Sequence, residues 1–136
     1  MLPKELEEIR AHIEKHDRLI TLFNMTVLDV EVGRAVVKME IGEDHLNAAN
    51  LCHGGAIFSL ADVAFALACN SHGSMALALE VSANYVRPAR LGEVITAEAR
   101  ELHQGRRTGV YFIEVRNQDG KHVAFFKATS YRVDQT

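Results

Sequence analysis

Two features of the stretch CHGGAIFSLADVAFALAC, Cys52 to Cys69, could do chemistry. The first is Asp62, set among Leu60, Ala61, Val63 and Phe65. A buried, unpaired carboxylate costs several kcal/mol unless it is neutralised or hydrogen-bonded. Such an acid is a candidate nucleophile or general base, with a salt-bridged structural acid as the alternative. The second is His53-Gly54-Gly55, at the start of what reads as a helix. The first N–H groups of a helix lack internal partners, and the helix dipole is positive there. Two residues without side chains let a ligand oxygen approach those N–H groups closely. A helix start of this kind can hold an oxyanion or polarise a carbonyl, which suits acyl transfer.

On such a helix Gly55, Ser59, Asp62 and Ala66 share one face, a stripe of small or polar residues that leaves room beside the acid. Ile57, Leu60, Phe65 and Leu67 fall mostly on other faces. Gly54 and Asp62 lie eight residues apart, roughly 12 Å at a rise of about 1.5 Å per residue. A reacting carbonyl has to lie about 3 Å from its oxyanion donors and also near its base or nucleophile. One helix therefore cannot supply both groups to one reaction. An antiparallel copy across a two-fold axis would set Asp62 beside Gly54 of the partner subunit.

The elements that must position these residues follow from periodicity. Residues 3–23 read as a helix, with Leu6, Ile9, Ile13, Ile20 and Phe23 on one side and Pro3 in the first turn. Thr26 to Ile41 changes to a strand pattern with a reversal at Gly33-Arg34, and His45 to Leu51 is a polar loop. The central helix spans about 54–70, with Gly73 just past its end. Four further strands are expected over 76–86, 93–102, 108–116 and 122–133. Loops at Gln104-Gly105-Arg106-Arg107 and Asn117-Gln118-Asp119-Gly120 separate the last three. This order predicts an α+β fold, an antiparallel sheet with helices on one face, as a single domain over 1–136. The central helix is apolar nearly all round, and a chain of 136 residues has little to cover its second side. A homodimer interface beside that helix is the expectation.

Composition narrows the function classes. The chain is 48% hydrophobic and 24% charged, with formal net charge −3 and a sequence pI near 6.1. No global basic field recruits nucleic acid. No apolar run reaches the roughly 18 to 20 residues that cross a bilayer, and no secretory signal pattern opens the sequence. Cys52 and Cys69 make no disulfide framework, so a reduced, cytoplasmic protein without a membrane partner is expected. A zinc reading of Cys52-His53 with Cys69 and His72 is rejected, because these pairs fall at opposite ends of one helix. A Ser59–His–Asp62 triad is rejected too, since no nucleophile elbow surrounds Ser59. His12, His16, His45, His103 and His122 receive no role.

NLCHGGAIFSLADVAFALACNS, followed by NYVRPARLGE and HQGRRTGVYFIEV, resembles the hotdog-fold acyl-CoA thioesterases of the phenylacetate-degradation (PaaI-type) branch. The resemblance runs from about Asn47 to Arg132. It implies a hotdog fold, a long central helix wrapped by a curved antiparallel sheet, here with an extra N-terminal helix. It also implies a homodimer, often a tetramer of two dimers, that hydrolyses acyl-CoA, with aryl-acetyl groups favoured. Coenzyme A is then part of the substrate, and neither a cofactor nor a metal is needed. By the same resemblance Asp62 is the catalytic carboxylate, as nucleophile or as general base on water, and Gly54 supplies the backbone donor to the thioester carbonyl. His53 and Asn47 orient the thioester or the lytic water, although a helix cap and a turn residue are the alternatives. Gly55, Ser59, Asn84 and Tyr85 are substrate-binding candidates. Arg87, Arg90, Arg106 and Arg107 are candidates for the CoA phosphates, or simply keep their loops soluble. The chain departs from some relatives at Ala78, where they place a water-positioning hydroxyl; Ser59, Ser82 or the backbone would have to replace it. Two rival readings share the fold: an acyl-thioester hydratase or dehydratase, and a non-catalytic acyl-CoA sensor.

Overall fold

A computed structural model describes residues 3–133, with side chains from Glu5 onward, so the two ends of the expected 1–136 domain lie outside the described residues. The chain forms α1 (Pro3–His16), α2 (Arg18–Leu22), β1 (Met25–Glu31), β2 (Arg34–Glu40), α3 (Gly54–Asn70), β3 (Ala76–Tyr85), β4 (Val94–Gln104), β5 (Thr108–Arg116) and β6 (His122–Arg132). The six strands make one sheet in the order β1-β2-β4-β5-β6-β3, antiparallel throughout. α3 lies across its inner face. The expected α+β hotdog architecture is the one observed.

Alternation explains how the sheet accepts the helix. Ala35, Val37 and Met39 of β2, Ile95, Ala97 and Ala99 of β4, Tyr111, Ile113 and Val115 of β5 and Phe126 and Ala128 of β6 are all buried. They alternate with exposed or half-buried neighbours, as a sheet with one solvated face requires. Many of these inward positions are alanine, which lets α3 sit close to the strands. β-bulges at Val27/Asp29, Ala78/Glu80, Glu101/His103 and Val115/Arg116 add local twist and bend the strands around the helix.

Three expectations are corrected in detail. The helix expected over 3–23 breaks at Asp17, whose backbone is extended (φ −75°, ψ 110°) and whose carboxylate accepts the Leu19 N–H at 3.0 Å. An aspartate offering itself as an N-cap outcompetes helix continuation there. β4 runs two residues further than expected, to Gln104, because its bulge keeps the pairing with β5 going. The loop after β2 contains a single 3-10 turn, Glu43–His45, and His45 is buried. Its Nδ1 accepts the Gly42 N–H at 2.9 Å and its Nε2 meets the Phe23 carbonyl at 3.0 Å, so Nε2 carries the proton. His45 thus ties the end of α2 to the loop that leads into α3. No helix among the described residues is long and apolar enough to cross a membrane.

Candidate active site

The start of α3 is built by its neighbours. His53 is the N-cap, extended at φ −61° and ψ 135°, and its Nδ1 accepts the Gly55 N–H at 2.9 Å. The N–H groups of Ala56 and Ile57 both reach the His53 carbonyl, at 2.9 and 3.1 Å. Gly54 is the one residue of the first turn whose N–H has no partner among the described residues. The Tyr85 hydroxyl donates to the Gly54 carbonyl at 3.0 Å and so fixes the residue from the other side. A Cβ at Gly54 would meet the Tyr85 ring at 3.4 Å, and one at Gly55 would meet His53 Nδ1 at 3.2 Å. Gly55 therefore makes room for the His53 ring, whereas a Cβ at Gly54 would meet Tyr85 only in ordinary contact.

The Gly54 end opens on a cavity of about 330 Å³, whose walls include Asn47, Cys52, Ile57, Tyr85 and Arg87. Asn47 Oδ1 accepts the N–H groups of Ala49 and Leu51, at 2.9 and 3.1 Å, so the side chain both shapes this loop and lines the cavity. Burial pushes the Cys52 thiol up to about 11, which leaves it protonated at neutral pH and without nucleophilic character.

Asp62 lies two turns further along α3, half-buried. Burial raises its carboxyl above the ordinary carboxylate range, and the nearby charge of Asp17 raises it further. Asp17 stands 45 positions earlier in the chain, and no sequence signal connects the two. Phe58, Phe65, Ile113 and Phe126 wall the void beneath Asp62, which has no room for a water molecule. The stripe Gly55, Ser59, Asp62 and Ala66 is the incompletely buried face of α3. Ser59 donates its hydroxyl to the Gly55 carbonyl at 2.8 Å, so only its lone pairs remain for a water.

Not every sequence candidate joins this group. Val81, Ala83 and Tyr85 face α3, so Ser82 and Asn84 point from the opposite face of β3, away from Asp62. Within one chain neither is aimed at the acid. Ala78 is on β3 immediately before the bulge. Arg87 lines the Gly54 cavity and Arg90 follows in the next turn, its N–H donating to Glu93 at 2.7 Å. Arg106 and Arg107 occupy the β4–β5 turn at the other end of the molecule, where Arg107 accepts the Arg132 N–H through its carbonyl. Within one chain the two arginine pairs do not meet.

The geometry pairs an unpartnered helix-start N–H with an acid held above its ordinary pKa, a combination suited to acyl transfer. The Thioesterase superfamily model matches residues 49–124, which include both groups. The chain belongs to the thioesterase superfamily. This thioesterase is 48% identical over 130 residues to a putative esterase of Archaeoglobus fulgidus, an alignment covering 96% of this chain and 84% of that one. It is 42% identical over 122 residues to the acyl-coenzyme A thioesterase PaaI of Escherichia coli, covering 90% and 87% of the two chains. The solved structure of the E. coli PaaI protein superposes with a TM-score of 0.95 at 38% identity, over 100% of this chain and 99% of that one. A Streptococcus mutans protein bound to acetyl CoA superposes with a TM-score of 0.78 at 33% identity, over 81% and 89%. The thioesterase described here is a hotdog thioester hydrolase of the PaaI type.

Proposed function

We propose that this thioesterase hydrolyses acyl-CoA to free acid and CoA, that aryl-acetyl groups such as phenylacetyl or hydroxyphenylacetyl are among its substrates, and that each active site is shared between two subunits. The carrying observation is the unpartnered Gly54 N–H at the mouth of a cavity, on the same helix as an acid it cannot serve. Their eight-residue separation still corresponds to roughly 12 Å. The free edge of β3 supports the shared site. Among the described residues β3 pairs only with β6, and Leu77 and Leu79 stand 57% and 63% exposed along it, flanked by Met75 and Val86. An open, apolar edge strand is a template for a second chain. Antiparallel pairing of β3 with its copy sets Asp62 against Gly54 of the partner subunit. The same operation brings Arg87 and Arg90 to the end that carries Arg106 and Arg107 of the partner subunit, where CoA phosphates would lie. A tetramer of two dimers is the larger assembly in this reading.

The reaction needs only these residues and water. The Gly54 N–H donates to the thioester carbonyl oxygen and stabilises the negative charge that develops there. Asp62 either takes a proton from the water that attacks the carbonyl carbon, or attacks that carbon itself to form a mixed anhydride that water then cleaves to free acid and the Asp62 carboxylate. The C–S bond breaks, CoA leaves as thiolate and is protonated by solvent. His53, with Nδ1 accepting from Gly55, carries its proton on Nε2 and can donate it to the bound thioester or water. The hydratase reading is not favoured. The Thioesterase superfamily model spans both Gly54 and Asp62, and release of free thiol from a saturated acyl-CoA separates the two readings, because a hydratase cannot produce it.

A mixing experiment tests the shared site. Gly54→Pro deletes the N–H at a position where proline suits a helix, and His53 already has the extended backbone that a following proline demands. Asp62→Asn and Gly54→Pro should each be inactive alone. Unfolded together and refolded, they should recover about a quarter of wild-type activity, since half the dimers are mixed and each mixed dimer keeps one intact site. No recovery would show that both groups act within one chain.

A further inference from the structure

The peptide unit between Gly54 and Gly55 is held at both ends by side chains. The Tyr85 hydroxyl donates to its carbonyl at 3.0 Å, and its N–H donates to His53 Nδ1 at 2.9 Å. Both directions are forced, because a carbonyl oxygen only accepts and a backbone N–H only donates. Tyr85, at the end of β3, therefore reaches the histidine that caps α3 through a single peptide.

The surroundings keep this arrangement in place. Gly55 admits the His53 ring, since a Cβ there would stand 3.2 Å from Nδ1. The Tyr85 ring lies edge-on to the buried Phe126, with ring centroids 5.9 Å apart. Burial raises the Tyr85 hydroxyl above its ordinary pKa, so at neutral pH it remains a donor. A hydroxyl that donates to an amide carbonyl draws electron density towards the oxygen. The N–H of the same amide becomes a stronger donor, because hydrogen bonds in a chain polarise one another. Here that N–H engages Nδ1. A neutral imidazole has one proton for two nitrogens, so a firmer bond to Nδ1 keeps the proton on Nε2.

We propose that Tyr85 is a positioning residue for His53: through the Gly54–Gly55 peptide it holds the imidazole in one orientation, as the Nε2–H tautomer that donates to the bound thioester or water. The catalytic part rests on the acyl-CoA hydrolase reading above, whereas the tautomer and the orientation do not. Tyr85 touches no reacting atom in this arrangement. Both hydrogen bonds are exposed, so water replaces the hydroxyl in part once it is removed. The loss is then severalfold and not thousandfold.

Tyr85→Phe removes the hydroxyl and keeps the ring. NMR of protein labelled with ring-15N histidine and 15N glycine reads the result without substrate, at alkaline pH where an imidazole is neutral. His53→Asn identifies the His53 signals. Wild type should show His53 as the Nε2–H tautomer alone. In Tyr85→Phe the Nδ1–H tautomer should appear and the Gly55 amide proton should move upfield. With phenylacetyl-CoA as substrate, kcat should fall about three- to tenfold with KM changed by less than about twofold. On the His53→Asn background the same substitution should cost less than about twofold. An unmoved Gly55 amide, or a His53 ring that stays wholly Nε2–H, overturns the proposal. So does an unchanged kcat, or an equal loss on both backgrounds. A rise in KM alone overturns it as well and makes Tyr85 a substrate contact. If the NMR changes appear but wild type hydrolyses no acyl-CoA, the hydrolase reading fails and the control of His53 stands.

Discussion

Asp62 is held in a state that folding alone would not choose. Burial, then the charge of Asp17, raises its pKa above that of the unfolded chain. A group of this kind contributes stability below its unfolded pKa and loses that contribution as pH rises through its folded pKa. At neutral pH the ionised carboxylate is therefore a net cost to the fold. Asp62→Asn should lower kcat by about 10²- to 10⁴-fold yet raise the Tm at pH 8, with the difference shrinking as the pH is lowered. Calorimetry across pH checks the sign, and a Tm below wild type at pH 8 would mark a structural acid. Asp17 gives a second test. Asn caps helices as well as Asp does, so Asp17→Asn keeps the Leu19 bond and removes the charge. The acidic limb of the kcat/KM profile should move to lower pH, with little change in Tm.

At the scale of elements, the start of α3 is a device in which one histidine serves two ends. His53 uses Nδ1 as a helix cap and leaves Nε2 free beside the Gly54 N–H. His53→Ala should cost about 1 kcal/mol of stability. His53→Asn should restore the cap without restoring full turnover, which denaturant titration and kinetics on the same variants would separate. Tyr85 acts on the same peptide unit through the Gly54 carbonyl. Tyr85→Phe should reduce kcat while leaving the Tm within a few degrees, since the lost hydrogen bond is partly exposed and contributes about 1 kcal/mol.

For the whole molecule, the open edge of β3 is the decisive feature. Leu77 and Leu79 stand exposed on the last strand of the sheet, an edge that a second copy covers in the proposed shared site. Leu79→Lys puts a charge on that edge. It should give a folded protein that elutes as a monomer in size-exclusion chromatography and has lost most activity, because Asp62 then has no Gly54 within reach. A Leu79→Lys monomer with full activity would rule out the shared site.

Much of this was legible in the sequence because it rests on short-range rules. Val-rich alternation, the HGG start and Gly73 at φ +90° placed the strands and the limits of α3 to within a residue or two. The eight-residue spacing of Gly54 and Asp62 along α3 was readable too, since helix rise is fixed by backbone geometry. Other facts needed the folded chain. The Asp17 break was written locally as an N-cap, but its nearness to Asp62 comes from α1 and α2 packing back on α3. The outward turn of Ser82 and Asn84 depends on a bulge at Ala78/Glu80 that no residue pattern announced. Which first-turn N–H stays free depends on a histidine rotamer, and a tyrosine 31 residues away holds the Gly54 carbonyl. The sequence by itself determined the elements, the candidate reacting groups and their spacing along the helix. The tertiary structure alone decided which way each side chain faces, what charge its neighbours impose and where a cavity remains, because those depend on contacts between segments far apart in the chain.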